Sequence, residues 1–168
     1  MSELPEYVLE REFDAPRALV WRAWSEPELL NKWYGPGVET IIHEFDLKAG
    51  GLWLNEMKWG DNSHFQKVVF KEISQPDLMV WDHYSATDKN WNNIANPMMP
   101  DWPALLLTTV TFTDAGDKTK LRLSQTPVAA SDAELACFAS AMGNMDKGWG
   151  SGFEVMDGLL AKLQASTK

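Results

Sequence analysis

The most regular pattern in the chain is a set of apolar residues that recur at alternating spacings of three and four. They are Leu135, Phe138, Met142, Met145, Trp149, Phe153, Met156, Leu160 and Leu163. This spacing places them on one face of an α-helix. Ser131, followed three residues later by Glu134, is a capping-box sequence and predicts that the helix begins there.

Four glycines, at positions 143, 148, 150 and 152, interrupt this helical pattern. A glycine inside a helix is less favourable than alanine by about 1 kcal/mol. We therefore expect a short helix, a break near residues 143–146 and a long helix from about Lys147 to Leu163. Because the apolar stripe stays in phase across the break, both pieces should pack against one partner.

Upstream of this region, apolar and polar residues alternate with a period of two, which is typical of strands with one buried face. The predicted strands are Tyr7–Phe13, Val38–Asp46, Leu52–Trp59, His64–Ile73, Leu78–Ser85, Ala104–Thr113 and Lys118–Thr126. Short turns that contain Gly, Asp or Pro separate several of them, so we expect antiparallel hairpins.

Two short helices are predicted between the first and second strands. Asp14 and Pro16 open the first, and a capping box from Ser25 to Glu28 opens the second. The fold class is therefore α+β. A run of antiparallel strands has one face to bury and the final helix has one stripe to bury, so we expect them to pack on each other.

Composition limits the classes of function. The 168 residues are predicted to form a single domain, residues 1–168, with 45% hydrophobic and 23% charged residues, as in ordinary globular proteins. The count of 9 Trp is high for this length. A net charge of -9 repels phosphate backbones and anionic lipids, which argues against nucleic-acid and membrane partners.

The sequence also predicts a soluble, cytoplasmic protein. No apolar run approaches the roughly 20 residues of a membrane span, and the first residues, with Glu3 and Glu6, lack the basic start of an export signal. Cys137 is the only cysteine, so no internal disulfide can form.

Alternation predicts which strand residues face the long helix. Trp53, Asn55, Met57 and Trp59 share the face that we expect to be concave. Aromatic and Met side chains with a few polar groups typically line a site for a mostly apolar small molecule, although they also make an ordinary core. The candidate ligand-binding residues are Trp53, Asn55, Met57, Trp59, His64, Trp81, His83, Met98, Trp102, Phe112, Trp149 and Phe153.

Candidates for acid–base chemistry are few. His64 and His83 are candidate general acid or base groups, because histidine is the only side chain whose unperturbed pKa lies near neutral pH, and Glu56 is a candidate buried acid, although its predicted face is the outer one. Asp82 should point away from His83, which argues against a dyad. The histidines show no metal-ligand spacing. We therefore assign no catalytic residue, no metal site and no cofactor.

The segment from Ser85 to Pro103 has no helical or strand period, yet it contains Trp91, Met98, Met99 and Trp102. A long irregular segment inside a compact domain usually has a function or is disordered. We expect it to cover one end of the sheet as a cavity lid, or to pack in a dimer contact.

Several blocks of the sequence resemble one known family, and they occur in its order along nearly the whole chain. They are Phe13-Asp-Ala-Pro-Arg17, Trp33-Tyr-Gly-Pro36, the turn Lys48-Ala-Gly-Gly-Leu-Trp53, the strand Leu107-Thr-Thr-Val-Thr-Phe112 and Gly148-Trp149. The chain resembles the activator of heat-shock-protein-90 ATPase homologue-like family, within the START and Bet v 1-like superfamily. The resemblance implies the helix-grip fold, a curved antiparallel sheet wrapped around a long C-terminal helix with a cavity between them.

Three functions remain open, because this fold hosts many unrelated activities. We favour a protein that binds a small, largely apolar molecule. The family name implies a co-chaperone, but we expect no chaperone contact, because the eukaryotic activator uses a separate N-terminal domain for much of it. Other members of the superfamily cyclise or dehydrate polyketide-like substrates, so an enzyme is the third alternative. Homodimers are common among relatives, and the resemblance leaves a homodimer open.

Overall fold

The computed structural model describes residues 5–34, 39–94 and 99–166. Within them the chain forms seven strands and three helices. In chain order these are β1 (Tyr7–Phe13), α1 (Arg17–Ser25), α2 (Pro27–Trp33), β2 (Glu39–Phe45), β3 (Leu52–Trp59), β4 (Asn62–Ser74), β5 (Leu78–Thr87), β6 (Leu105–Ala115), β7 (Lys118–Pro127) and α3 (Asp132–Ser166). None of the described helices is long and apolar enough to cross a lipid bilayer.

The strands form one antiparallel sheet in the order β1-β7-β6-β5-β4-β3-β2. From β2 to β7 each strand pairs with its neighbour in sequence, and β1 pairs with β7. The register shifts at residues 42–44, 65–67 and 70–72. Such bulges bend a strand and increase its twist, so they help the sheet to curve around the helix.

The concave face of the sheet is the buried one, as the period-two pattern predicts. Val110 and Phe112 of β6, with Leu121 and Leu123 of β7, alternate along the concave face, and all four are buried. Lys120, which alternates with them on β7, is exposed. Burial of this face removes apolar surface from water, which is the main driving force for folding.

Helix α3 begins with the predicted capping box. The backbone N–H of Ser131 donates to Glu134 Oε1 at 2.8 Å, and the backbone N–H of Glu134 donates to Ser131 Oγ at 3.1 Å. These two bonds satisfy donors that a helix start otherwise leaves without partners.

The predicted break near residues 143–146 is wrong, because α3 runs through them as one helix of 35 residues. Met142, Met145 and Trp149, which lie before, within and after residues 143–146, all pack against the core. The hydroxyl of Tyr7 also donates to Asp146 Oδ1 at 2.7 Å. This packing outweighs the weak helix propensity of the glycines, since tertiary contacts supply most of the stability of a helix in a protein.

The capping box predicted from Ser25 to Glu28 is also wrong. Ser25 is the last residue of α1, and α2 starts at Pro27 with no side-chain cap. Glu26 alone joins the two helices, and its carbonyl accepts from the backbone N–H groups of Leu29 and Leu30. Proline at the first helical position suits this start, because it has no N–H to leave without a partner.

Strand β1 holds α3 against the concave side. Arg11 donates to both carboxylate oxygens of Asp157, at 3.0 and 2.7 Å, and Gln164 Nε2 donates to the carbonyl of Asp14 at 2.9 Å. Helices α1 and α2 also contact α3. The α+β fold, with a long terminal helix clasped by a curved sheet, is confirmed.

Candidate ligand-binding site

The sheet side of the interior is aromatic. Trp53 of β3 is almost fully buried and lies parallel to Phe70 of β4, with ring centroids 6.3 Å apart and planes 10° apart. The ring of Trp81, on β5, meets Trp53 edge to face at 5.9 Å. Large rigid rings of this kind supply much apolar contact area.

Helix α3 contributes a second aromatic wall. Trp149 is half-buried and stacks on Trp24 of α1 with ring centroids 6.2 Å apart and planes 22° apart. Phe153 is fully buried and lies 5.9 Å from Trp149. The indole N–H of Trp24 is buried and has no hydrogen-bond acceptor among the described residues.

Asn55 is the most unusual polar residue of this interior. It is 0% exposed, and its Oδ1 accepts a hydrogen bond of 2.6 Å from the indole N–H of Trp53. Its amide nitrogen Nδ2 finds no acceptor among the described residues. A buried donor without a partner reduces stability by about 1–3 kcal/mol.

A second polar pair lies beside Asn55. Gln66 of β4 is directly opposite Asn55 in the register, and its Oε1 accepts from the hydroxyl of Tyr34 at 3.0 Å. Tyr34 follows the end of α2 and lies 6.0 Å from Trp149, ring centroid to ring centroid. Burial raises the pKa of Tyr34 well above its usual value, so the phenol stays protonated.

His83 of β5 is buried on the same face. Its Nδ1 accepts a long hydrogen bond of 3.4 Å from the indole N–H of Trp81, which places the proton of the neutral ring on Nε2. Burial, and then the charge of His64, lower the pKa of His83 to about 4. The ring is therefore neutral at physiological pH.

The remaining sheet candidates lie towards the edge of the interior. Met57 and His64 are half-buried and face each other across β3 and β4. Trp59, at the end of β3, is 37% exposed. Phe112 is buried at the other end of the core, where its ring meets Trp21 at 5.2 Å.

Glu56 lies on the convex face, as its position in the alternation predicted. Its carboxylate accepts from Ser63 Oγ at 2.7 Å and contacts His43 Nε2 at 2.9 Å. These hydrogen bonds, that of Ser63 first, hold the pKa of Glu56 below its usual value. Tyr84 also lies on this face, with Lys67 Nζ 5.0 Å from its ring centroid. The sheet thus separates Glu56 and Tyr84 from His64 and His83.

The irregular segment after β5 contacts two different parts of the fold. Trp91 lies on the convex face, with its ring 5.4 Å from Phe65 and 5.5 Å from His43. Trp102 instead packs against Phe138 of α3, at 5.6 Å between ring centroids. Met98 lies outside the described residues. Trp102 is therefore placed beside the first turns of α3.

Sequence reasoning missed three residues that shape this interior, namely Tyr34, Gln66 and Trp24. Gln66 shares the inward face of its strand, so alternation could have identified it. Tyr34 and Trp24 reach the interior through the packing of α1 and α2, which no local pattern reveals. Among the described residues, no three His, Cys, Asp or Glu side chains cluster in a way that could hold a metal ion.

Solved structures with this architecture come from several bacteria. A protein from Arthrobacter aurescens, solved by NMR, shares 21% identity at a TM-score of 0.77 and covers 94% of this chain and 86% of that one. Crystal structures of proteins from Mycobacterium smegmatis (22% identity, TM-score 0.75) and Nitrosomonas europaea (24%, 0.71) each cover 95% of this chain and 96% of the other. At these identities the likeness shows the fold.

The sequence itself identifies the family. No curated protein matches it significantly. The sequence profile of one family does match, over residues 14–161, and its description is "Activator of Hsp90 ATPase homolog 1-like protein". That span includes every element from α1 to β7 and most of α3. The chain therefore belongs to the activator of Hsp90 ATPase homolog 1-like family, with the helix-grip fold of the START and Bet v 1-like superfamily.

Proposed function

We propose that this protein binds a small, mostly apolar molecule between α3 and the concave face of the sheet. The observation that carries the proposal is Asn55, whose amide N–H₂ is fully buried in an aromatic interior without an acceptor among the described residues. Proteins rarely leave such a buried donor without a hydrogen-bond partner, so each exception needs an explanation. A bound molecule that accepts from it would recover the lost hydrogen bond.

The contacts around Asn55 suggest where the molecule enters. Met57 and Gln66 on the sheet, and Met145 and Trp149 on α3, are only half-buried. Tyr34 connects the two sides, because it contacts both Gln66 and Trp149. Met and Gln side chains are unbranched and flexible, so they can adapt to an occupant. We infer that the route into the interior runs between these residues.

A dye that fluoresces in apolar surroundings tests the proposal. Nile red is titrated into the full chain, and its emission reports binding. Met57→Trp adds bulk on the concave face and should weaken binding strongly. Lys58→Trp is the matched control, because Lys58 is the next residue of β3 and is exposed on the other face. It should bind Nile red as the unmodified protein does.

Two results would contradict the proposal. One is the absence of saturable Nile red binding. The other is equal loss of binding in Met57→Trp and Lys58→Trp, which would place the dye outside the interior. Thermal unfolding of both variants shows whether each retains a cooperative fold.

The family description favours a second candidate, stimulation of an Hsp90-type ATPase. Its test is the rate of ATP hydrolysis by the chaperone with and without this protein. An increase that survives Met57→Trp would support a co-chaperone that does not depend on the interior. No increase at saturating protein would exclude this candidate.

A further inference from the structure

The orientation of the Asn55 amide is fixed by its neighbour. Trp53 and Asn55 lie two residues apart on β3 and therefore point to the same face. An indole N–H can only donate, so the Asn55 atom 2.6 Å from it must be the carbonyl oxygen. The N–H₂ group then has to point away from Trp53, and it can only donate as well.

The concave strand positions around Asn55 hold polar groups and, at the edge of the interior, the half-buried His64. The described residues at the concave positions of β3, β4 and β5 include no Lys, Arg, Asp or Glu. Tyr34 stays a neutral phenol and His83 a neutral ring, because burial disfavours their charged forms. Across the interior, Arg11 already has both carboxylate oxygens of Asp157 as partners.

We propose that the ligand is a neutral carbonyl compound with an apolar body, such as a ketone, ester, amide or quinone, whose carbonyl oxygen accepts from Asn55 Nδ2. This inference rests on the proposed function and specifies the chemistry of its ligand. In this proposal Asn55 recognises the carbonyl oxygen of the ligand, and Trp53 fixes the orientation of the Asn55 amide.

A carboxylate fits this site poorly. Transfer of an ionised carboxylate from water into an apolar interior is strongly unfavourable unless a cation accompanies it, and the described concave positions of β3, β4 and β5 hold no Lys or Arg. A hydroxyl fits less well than a carbonyl, because its own proton also needs an acceptor. The side-chain carbonyl oxygens of Asn55 and Gln66 each already accept one hydrogen bond, from Trp53 and Tyr34, so the proton of a hydroxyl would have to share an acceptor with one of them or use the oxygen of Tyr34.

Three probes with the same naphthalene body separate these possibilities. 2-Acetylnaphthalene is a neutral ketone, 2-naphthoate is an anion at neutral pH, and 2-ethylnaphthalene has no acceptor. Each is titrated against the full chain, with displacement of Nile red as the readout. We expect the ketone to bind about tenfold more tightly than the hydrocarbon, the change that one hydrogen bond typically gives. The anion should bind more weakly than both.

Asn55→Leu removes the donor and keeps a similar volume, so the ketone and the hydrocarbon should then bind equally. Met57→Leu is the control, since it changes a neighbour on the same face without changing a donor, and it should preserve the preference for the ketone. The comparison of the three probes on the unmodified protein needs no variant, so it tests the inference even if Asn55→Leu does not fold.

The outcomes separate this inference from the proposed function. If Nile red and the hydrocarbon bind but the ketone binds no more tightly, the inference is wrong and the binding function stands. Binding of 2-naphthoate as tight as that of the ketone, or a preference for the ketone that persists in Asn55→Leu, also overturns it. If neither Nile red nor any probe binds, the proposed function fails and this inference fails with it.

Discussion

Asn55 and Glu56 are neighbours on β3, and they show how differently the two faces of the sheet treat polar groups. Glu56 lies on the convex face, where Ser63 Oγ and His43 Nε2 are hydrogen-bond partners of its carboxylate. Asn55 lies on the concave face, fully buried, with its acceptor oxygen paired and its donor group without an acceptor in the part of the chain that the structure describes. Two adjacent residues of β3 therefore differ sharply: the carboxylate on the convex face has hydrogen-bond partners, and the buried amide N–H₂ on the concave face has none among the described residues.

This contrast supports the proposal that the concave face, and not the convex one, binds the ligand. The convex cluster of His43, Glu56 and Ser63 needs no ligand to account for it, because each member has a hydrogen-bond partner within the cluster. The amide N–H₂ of Asn55 has no such partner among the described residues. Since a buried unpaired donor lowers stability, its presence among aromatic rings is better explained by a ligand than by folding alone.

Replacing one tryptophan on each face should give the largest effect. Trp53→Ala removes an almost fully buried ring from the concave face and should lower the free energy of unfolding by about 3–5 kcal/mol. Trp91→Ala removes a half-buried ring from the convex face and should lower it by only about 1–2 kcal/mol. Denaturant unfolding measures both. Equal losses would mean that the two faces are equally important for stability.

Protonation of His83 should make the protein less stable at low pH. Its pKa is about 4 in the folded protein, against 6.5 for the ordinary residue. The unfolded chain therefore binds the proton first, and stability is lost as pH falls from about 6.5 to about 4. This difference in pKa corresponds to a change of about 3 kcal/mol in the free energy of unfolding. His83→Gln should abolish this loss, as measured by denaturant unfolding across that range.

The control for His83 is His43→Gln on the convex face. This variant leaves His83 in place, so it should keep the loss of stability between about pH 6.5 and about pH 4. A slope that disappears in His43→Gln and persists in His83→Gln would contradict the assignment of His83 as the buried neutral histidine.

A smaller effect is expected from Glu56, in a range that begins at lower pH than that of His83. Its pKa is lowered in the folded protein, first by Ser63 and then by His43. The stability that this gives is present above the ordinary glutamate pKa and is lost as pH falls through the lowered value. The thermal unfolding temperature of Glu56→Gln should therefore fall less than that of the unmodified protein between about pH 5 and about pH 3. Parallel curves would show that the convex network contributes nothing.

Local patterns predicted much of the fold. The bounds of β1 and β3 agree with the period-two alternation, and Ser131 with Glu134 marked the start of α3. The concave positions of Trp53 and Asn55 followed from the same alternation. These features depend on neighbours in sequence or on one face of one element, so the sequence expresses them directly.

Features that depend on distant partners were not predictable in this way. The continuity of α3 through its glycines depends on packing against the core and on Tyr7, 139 residues before Asp146. The pairing of Tyr34 with Gln66 joins the end of α2 to β4. That Asn55 Nδ2 finds no acceptor within residues 5–34, 39–94 and 99–166 depends on every residue around it, so no sequence pattern could predict it.

The most direct test of the central claim is a nuclear magnetic resonance titration of the full chain with 2-acetylnaphthalene, following the side-chain N–H₂ resonances of Asn55. Binding on the concave face predicts a saturable shift of these resonances and little change at His43 and Ser63. Unchanged Asn55 resonances at saturating ketone, or shifts confined to the convex cluster, would contradict the claim.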